Sequence, residues 1–299
     1  MSLGPYEVLD ERFRACFNRT AQLERLWTGA RWTEGPAYLP AARSLLFSDI
    51  PNDRMLRYDE CDGHVSVFRQ PCGYANGHTV DREGRLVSCE HGGRRVARTE
   101  HDGRITVLAE HYQGKRLNSP NDVVVKSDGS IWFTDPPFGI LSDYEGHKAE
   151  SELGKNYVFR ADALNGTLIP VADDFVRPNG LAFSPDERRL YIVDSHPSQR
   201  NMRVYDVAED GTISRPRVFA TCTAGRFDGF RLDEAGRIWT STDEGVHCYD
   251  PDGTLLGKIL VPEILSNVCF GGPKRNRLFI TATTSLYAVM LTINGAKTF

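Results

Sequence analysis

Six side chains of one chemical kind recur along the chain at related intervals: Glu34, Asn76, Asn121, Asn179, Asp228 and Asn267, separated by 42, 45, 58, 49 and 39 residues. Each offers a carboxylate or carboxamide oxygen, and each stands just before a short apolar run. If all six face one point, they form an oxygen cage carrying two negative charges, from Glu34 and Asp228. Oxygen donors without histidine or cysteine favour Ca2+, Mg2+ or Mn2+ over zinc, because hard cations take hard ligands. Asn121 and Asn179 would add two amide oxygens. Water or substrate would complete a six- or seven-coordinate shell and leave the ion open for catalysis. Asn76 and Asn267 remain as neighbours of the ligands or as channel lining.

Blander readings compete with this one. Asn-Gly and Asp-Gly at 76, 179 and 228 are ordinary turn dipeptides, and a wet channel attracts polar residues whether or not it holds a metal. The turn reading is weakened by the hairpin turns that follow each apolar run, such as SPDE at 184–187 and DEAG at 233–236.

Positioning six equivalent residues around one axis requires a repeated supersecondary unit. Spacings of about 40 to 50 residues, with several short strands per unit, are the signature of β-propeller blades. From Tyr58 onward, β-branched and apolar runs alternate with Asp-Gly, Asn-Gly and Glu-Gly turns, as in YDECDGHVSVF and VVVKSDGSIWFTD. The expectation is an all-β, six-bladed β-propeller over residues 1–299 as a single domain, with four antiparallel strands per blade and a central metal-binding channel. In the third unit the strands are expected at 121–126, 131–134, 156–160 and 168–171, with a Leu164-Asn165-Gly166 turn between the last two. The tryptophans of IWFTD and RIWTS fall on second strands and read as core. Residues 1–25 precede the first repeat and suit either an element packed outside or a strand completing the last blade.

The 58-residue step contains the longest irregular stretch, residues 135–155, which reads as a lid or pocket wall. Its Glu150 and Glu152, together with Arg116 and Asn118 in KRLNSPND and His91 in EHGGRR, are candidate substrate contacts near the channel mouth. A hydroxyl-rich or carboxylate substrate would suit them. A solvated loop is the competing reading for Arg116 and Asn118, and Asp135 reads as a structural anchor of the long loop. The other histidines are scattered without ligand spacing.

Bulk properties exclude several classes. The net charge is -4, with Lys and Arg dispersed and no basic stripe, so nucleic acid is not an expected partner. Seven cysteines without a CxxC pair argue against a disulfide framework or a thiolate zinc site. No signal-peptide pattern and no apolar run of membrane-spanning length occur, so a cytoplasmic protein, monomeric or homodimeric, without membrane contact is expected. GxSxG, HExxH and Walker-type motifs are missing.

Four ordered segments carry a resemblance: WTEGPAY around Glu34, NSPNDVVVKSDGSIWFTDPPFGI from Asn118, RPNGLAFSPDERRLYIVDS from Arg177 and FDGFRLDEAGRIW from Phe227. Together they resemble the senescence-marker-protein (regucalcin)/gluconolactonase/luciferin-regenerating-enzyme family, and the bacterial gluconolactonases within it most closely, from about Trp27 to the C-terminus. The resemblance implies a catalytic divalent metal held by Glu34, Asn179 and Asp228, with Asn121 binding either metal or substrate and no organic cofactor. Ca2+ is the first expectation, with Mg2+, Mn2+ and Zn2+ as the other ions. It also implies Asp228 as general base and a sugar lactone of the glucono-1,5-lactone type as substrate. The arginine that contacts substrate in animal members falls on Ser119 here, which leaves Arg116 as a substitute. An organophosphate hydrolase on the same scaffold needs the same cage but a more apolar pocket, and a non-catalytic binding propeller needs no carboxylate cage.

Overall fold

The computed structural model describes residues 4–162 and 166–297 and consists almost entirely of β-structure. Six antiparallel sheets each take their innermost strand from one repeat: Thr33–Leu39, Ala75–Val80, Val123–Val125, Pro178–Phe183, Phe230–Leu232 and Leu265–Gly271. These strands contact one another around a central axis, blade one against two and six, and so on round the ring. The six-bladed propeller expected from the repeat is therefore what the chain forms. The third blade uses Val123–Val125, Ile131–Asp135, Tyr157–Ala161 and Leu168–Ala172. The turn expected at 164–166 falls mostly on residues 163–165, which lie outside the described residues.

The start of the chain contributes strands to two blades. Glu24–Thr28 pairs with Ser285–Met290 as the outermost strand of blade six, so the first and last parts of the chain share one sheet and close the ring. Tyr6–Val8 adds a fifth strand outside blade five, on Leu255–Leu260. The 3-10 helix Glu11–Cys16 follows and packs Phe13 over Trp239, ring centroids 6.0 Å apart. A side chain at Gly257 would collide with the Phe13 ring, which explains a glycine inside that strand.

Burial follows the blade-on-blade packing. Apolar side chains from facing sheets form six clusters, with Trp132, Trp239, Phe47, Phe133 and Phe159 fully enclosed. No blade buries both faces by itself, so each depends on its neighbours. The aspartate-rich turns add a second device: Asp81 holds the backbone of Glu83 and Arg85 and pairs with the Arg85 guanidinium at 2.8 Å. Asp233 repeats the arrangement with Ala235 and Arg237 and also accepts from Trp239 Nε1 at 3.0 Å.

Near the axis, polar groups tie adjacent blades together. Ser48 Oγ donates to the Asn76 carbonyl (3.1 Å), Gly77 N to the Asn121 carbonyl (2.8 Å) and Ser195 Oγ to the Phe227 carbonyl (2.7 Å). Gly229 N donates to the Ser266 carbonyl (2.7 Å), and Ser266 Oγ to the Thr33 carbonyl (2.6 Å). His78 belongs to this hoop. It is fully buried, with Nε2 2.8 Å from Ser48 Oγ in blade one and Nδ1 2.8 Å from Ser88 Oγ in its own blade. Burial, with a smaller contribution from Arg69, lowers its pKa to about 3.

A histidine held neutral when folded but free to protonate near pH 6.5 when unfolded makes the unfolded state bind more protons below that pH, so stability falls as pH falls. At pH 5 the penalty from this one group is about 2 kcal/mol. Denaturant titrations at pH 7.5 and pH 5 should show the wild type losing about that much more than His78→Gln. Equal losses would mean that His78 is not held neutral in the fold.

Candidate active site

The six ring residues open their inner strands in a recurrent local distortion. Register breaks occur between Glu34 and Ala37, Ala75 and His78, Pro178 and Leu181, and Leu265 and Asn267. In blades three and five regular pairing begins only two residues after Asn121 and Asp228, at Val123 and Phe230. A bulge frees the residue from the pleat and re-aims its side chain, here in blades one, two, four and six.

The following glycines then receive a physical reason. A Cβ at Gly35 would strike the Asn76 carbonyl oxygen, at Gly77 the Asn121 carbonyl oxygen, at Gly180 the Asp228 carbonyl oxygen, and at Gly229 the Asn267 carboxamide. Each glycine admits the backbone or side chain of the next ring residue. Gly77, Gly180 and Gly229 do not have left-handed backbones, so the turn-dipeptide reading of 76, 179 and 228 does not hold. The turns lie downstream, closed by Glu187 N to the Ser184 carbonyl and Gly236 N to the Asp233 carbonyl.

All six ring residues are buried. Glu34 accepts from its neighbour Gly35 N and, at 3.1 Å, from Asn267 Nδ2, while Asn267 Oδ1 accepts from Val268 N at 2.8 Å. Asn267 is thereby committed to orienting Glu34. Asn179 favours the ionised form of the Asp228 carboxyl. The carboxamide of Asn121 makes no protein hydrogen bond among the described residues, although its backbone is fixed by Gly77 N and the Thr134 carbonyl.

Electrostatics link these groups. Burial raises the Glu34 carboxyl well above the usual range, and the charges of Asp228 and Asp122 push the same way. Burial raises Asp228 to about 7, with Asp122 and Glu145 adding to the effect and Arg226 and Asn179 opposing it. Asp122 is almost fully enclosed and lies 3.4 Å from the half-buried guanidinium of Arg231, which also donates to the Phe230 carbonyl at 2.7 Å.

Four residues of this environment escaped the sequence reading: Asp122, Arg231, Glu145 and Arg226. Two left a signal. Asp122 occupies the place that glycine takes after Glu34, Asn76, Asn179 and Asp228, and Arg231 interrupts the apolar inner strand FRL.

The remaining candidates are placed as follows. His91 is fully buried, with Nε2 3.0 Å from Asn76 Nδ2 and Nδ1 3.1 Å from the Glu145 carbonyl. Asn118 is also buried. Its amide donates to the Asp135 and Lys155 carbonyls, its oxygen accepts from Ser151 Oγ at 2.6 Å, and its backbone N donates to Asp135 Oδ2 at 2.8 Å. Asn118 and Asp135 therefore clasp the two ends of the long loop. Arg116 is exposed, donates to the Gly93 carbonyl at 3.0 Å and holds Glu152 through its backbone N at 2.8 Å. Glu152 also faces Arg94 at 3.5 Å, and Glu150 is exposed. The loop carboxylate that approaches the ring is Glu145. Ser119 donates to the Pro136 carbonyl and accepts from Gly139 N, pinning the short helix Phe138–Leu141.

A cavity of about 360 Å3 opens at the opposite mouth, among Val80, Val124, Phe183, Arg231 and Phe270. Arg82, Arg231 and Arg275 on its wall are already paired with Glu187, Asp122 and Glu234. The convergent carboxylates lie at the other end.

Residues 32–284 match the SMP-30/Gluconolactonase/LRE-like region. The chain belongs to this family. It is 32% identical over 96% of its length to the gluconolactonase of Zymomonas mobilis, 86% of which is covered, and 31% identical over 85% to the pentonolactonase XacC of Haloferax volcanii, 82% of which is covered. A solved structure of a Xanthomonas campestris gluconolactonase superposes with a TM-score of 0.91 at 40% identity, covering 96% of this chain and 94% of that one. Among the described residues no helix is long and apolar enough to cross a membrane.

The glycine collisions yield a direct test. Gly180→Ala forces the Asp228 backbone outward and should destabilise the fold by about 1–3 kcal/mol or more, as read by denaturant unfolding. An unchanged midpoint would show that adjacent blades can separate freely at the axis.

Proposed function

We propose that the protein hydrolyses sugar lactones of the glucono-1,5-lactone type to the corresponding aldonic acids, with a divalent metal ion at the ring. The observation that carries the reading is the burial of Glu34, Asp228 and Asn179 together at one end of the channel, in a chain of the gluconolactonase family.

The residues fit a hard cation. Burial raises the Glu34 and Asp228 carboxyls, neighbouring carboxylates push the same way, and the donors around them are all oxygen. The buried histidines of blade two, His78 and His91, have both ring nitrogens engaged by protein groups. Glu34, Asn121, Asn179 and Asp228 would hold the ion, with Ca2+ first by hardness and Mg2+, Mn2+ and Zn2+ as alternatives. Among the described residues no group of three or more His, Cys, Asp or Glu of metal-binding kind occurs; in the proposed set two of the four ligands are asparagines. When bound, such an ion supplies Lewis-acid polarisation of the ester carbonyl.

The chain's own residues account for the proton. Asp228 takes a proton from the attacking water as its oxygen bonds to the carbonyl carbon. The ring C–O bond then breaks, and the same carboxyl returns the proton to the leaving alkoxide. Asn179 favours the ionised form of that carboxyl. Glu145 is held on the loop beside the ring, and Arg226 stands two residues before the base, so the mouth presents both signs of charge to a polyol.

Chelated protein should be inactive and regain turnover of glucono-1,5-lactone with Ca2+, and Asp228→Asn should lower kcat by about 100-fold or more without unfolding. Glu34→Gln and Asn179→Ala should weaken metal affinity in calorimetric titration more than Asn267→Ala, which only loosens Glu34. A panel that also contains homoserine lactones and a fluorophosphate decides the class. Turnover of the fluorophosphate alone would replace this reading with the organophosphate one.

A further inference from the structure

Asn76 alone among the six ring residues carries a buried side-chain atom with no hydrogen-bond partner, its Oδ1. The residue is only 3% exposed. Leaving a buried acceptor unpaired is unfavourable, a penalty that a ligand donor would remove.

The orientation of that carboxamide follows from its neighbours. The Glu145 carbonyl, 3.1 Å from His91 Nδ1, can only accept, so Nδ1 carries the proton. Burial keeps the imidazole neutral, with a pKa lowered to about 4. His91 Nε2 is then a bare lone pair and requires a donor, which Asn76 Nδ2 supplies at 3.0 Å. The Oδ1 is left on the side away from His91. Glu34 and Asn121 flank Asn76 on the adjacent blades: a Cβ on Gly35 would meet its carbonyl, and Gly77 N bonds the Asn121 carbonyl. Blade two stands opposite the blade of Asp228 in the six-fold ring. The long loop of blade three reaches across to His91, where Gly139 packs against the imidazole.

We infer that Asn76 Oδ1 accepts a hydrogen bond from a hydroxyl of a polyhydroxylated lactone, and that His91 with the Glu145 carbonyl forms the positioning relay that keeps it an acceptor. The inference rests on the lactonase reading and adds to it a residue that distinguishes sugar lactones from unsubstituted ones. It also gives the loop a route to specificity that runs through a backbone carbonyl. A protonated or replaced His91 would let the carboxamide rotate and present a donor in place of the acceptor.

The test compares kcat and KM on glucono-1,5-lactone with those on δ-valerolactone, the same cyclic ester without hydroxyls. In Asn76→Ala the ratio of the two kcat/KM values should fall by about 10- to 100-fold, chiefly through KM for the sugar lactone. His91→Met should move the ratio the same way. His91→Gln should restore most of it, because its Oε1 can take the place of Nε2 as acceptor. Ca2+ titration and melting curves of each variant keep the outcome readable. Parallel losses on both lactones would overturn the inference in favour of a general structural role. A fall in Ca2+ affinity matching that of Glu34→Gln would overturn it in favour of a metal ligand. Wild-type protein inert towards both lactones would instead remove the lactonase reading itself.

Discussion

The repulsion between Glu34 and Asp228 is the constraint on which the rest of the site turns. Both carboxylates are withdrawn from water near the same axis, the charge of Asp228 raises the Glu34 pKa, and Asp122 raises both. Two cations oppose this cluster from within the protein: Arg231, 3.4 Å from Asp122, and Arg226 at the mouth. A fold does not accumulate buried like charges without compensation. The oxygen donors around them, with their unused acceptor capacity, are what a hard divalent ion requires.

The propeller makes this concentration of charge tolerable because its rigidity resides elsewhere. Apolar clusters between blades enclose the large aromatic side chains, and the hoop of serine, glycine and histidine contacts fixes how closely the inner strands approach. The glycines after the ring residues set the spacing from the other direction, since any side chain there would push the next blade outward. Arg231 divides the channel into two ends. One end is carboxylate-rich and roofed by the loop at 135–155; the other opens on an apolar cavity whose arginines are already paired.

Much of this was legible in the sequence because a repeat exposes what any one segment hides. Asn179 or Asp228 alone reads as a turn dipeptide; six equivalents at blade spacing read as a ring, and the bulged inner strands follow that register. The contacts made by the long loop were not legible. Asn118 read as a substrate contact or part of a solvated loop but is consumed in clasping the loop, and the loop acid near the ring is Glu145, whereas Glu152 is tied to Arg94 and the Arg116 backbone. Nothing in residue type separates these three carboxylates at 145, 150 and 152. Their separation depends on where Ser119 and His91 pin the loop, which is tertiary information. Asp122 and Arg231 were hidden differently, as charged residues in runs that periodicity assigns to core.

The measurement closest to the central claim is the stability of wild type and Asp228→Asn, each in chelator and in excess Ca2+ at pH 8, by denaturant unfolding. Above the raised pKa of the folded state, the ionised Asp228 burdens the metal-free fold, while a bound ion stabilises in proportion to the logarithm of its concentration over Kd. The account predicts that the variant is the more stable protein in chelator and that Ca2+ reverses the order by stabilising only the wild type substantially. Wild type already more stable in chelator, with Ca2+ shifting neither protein, would contradict it.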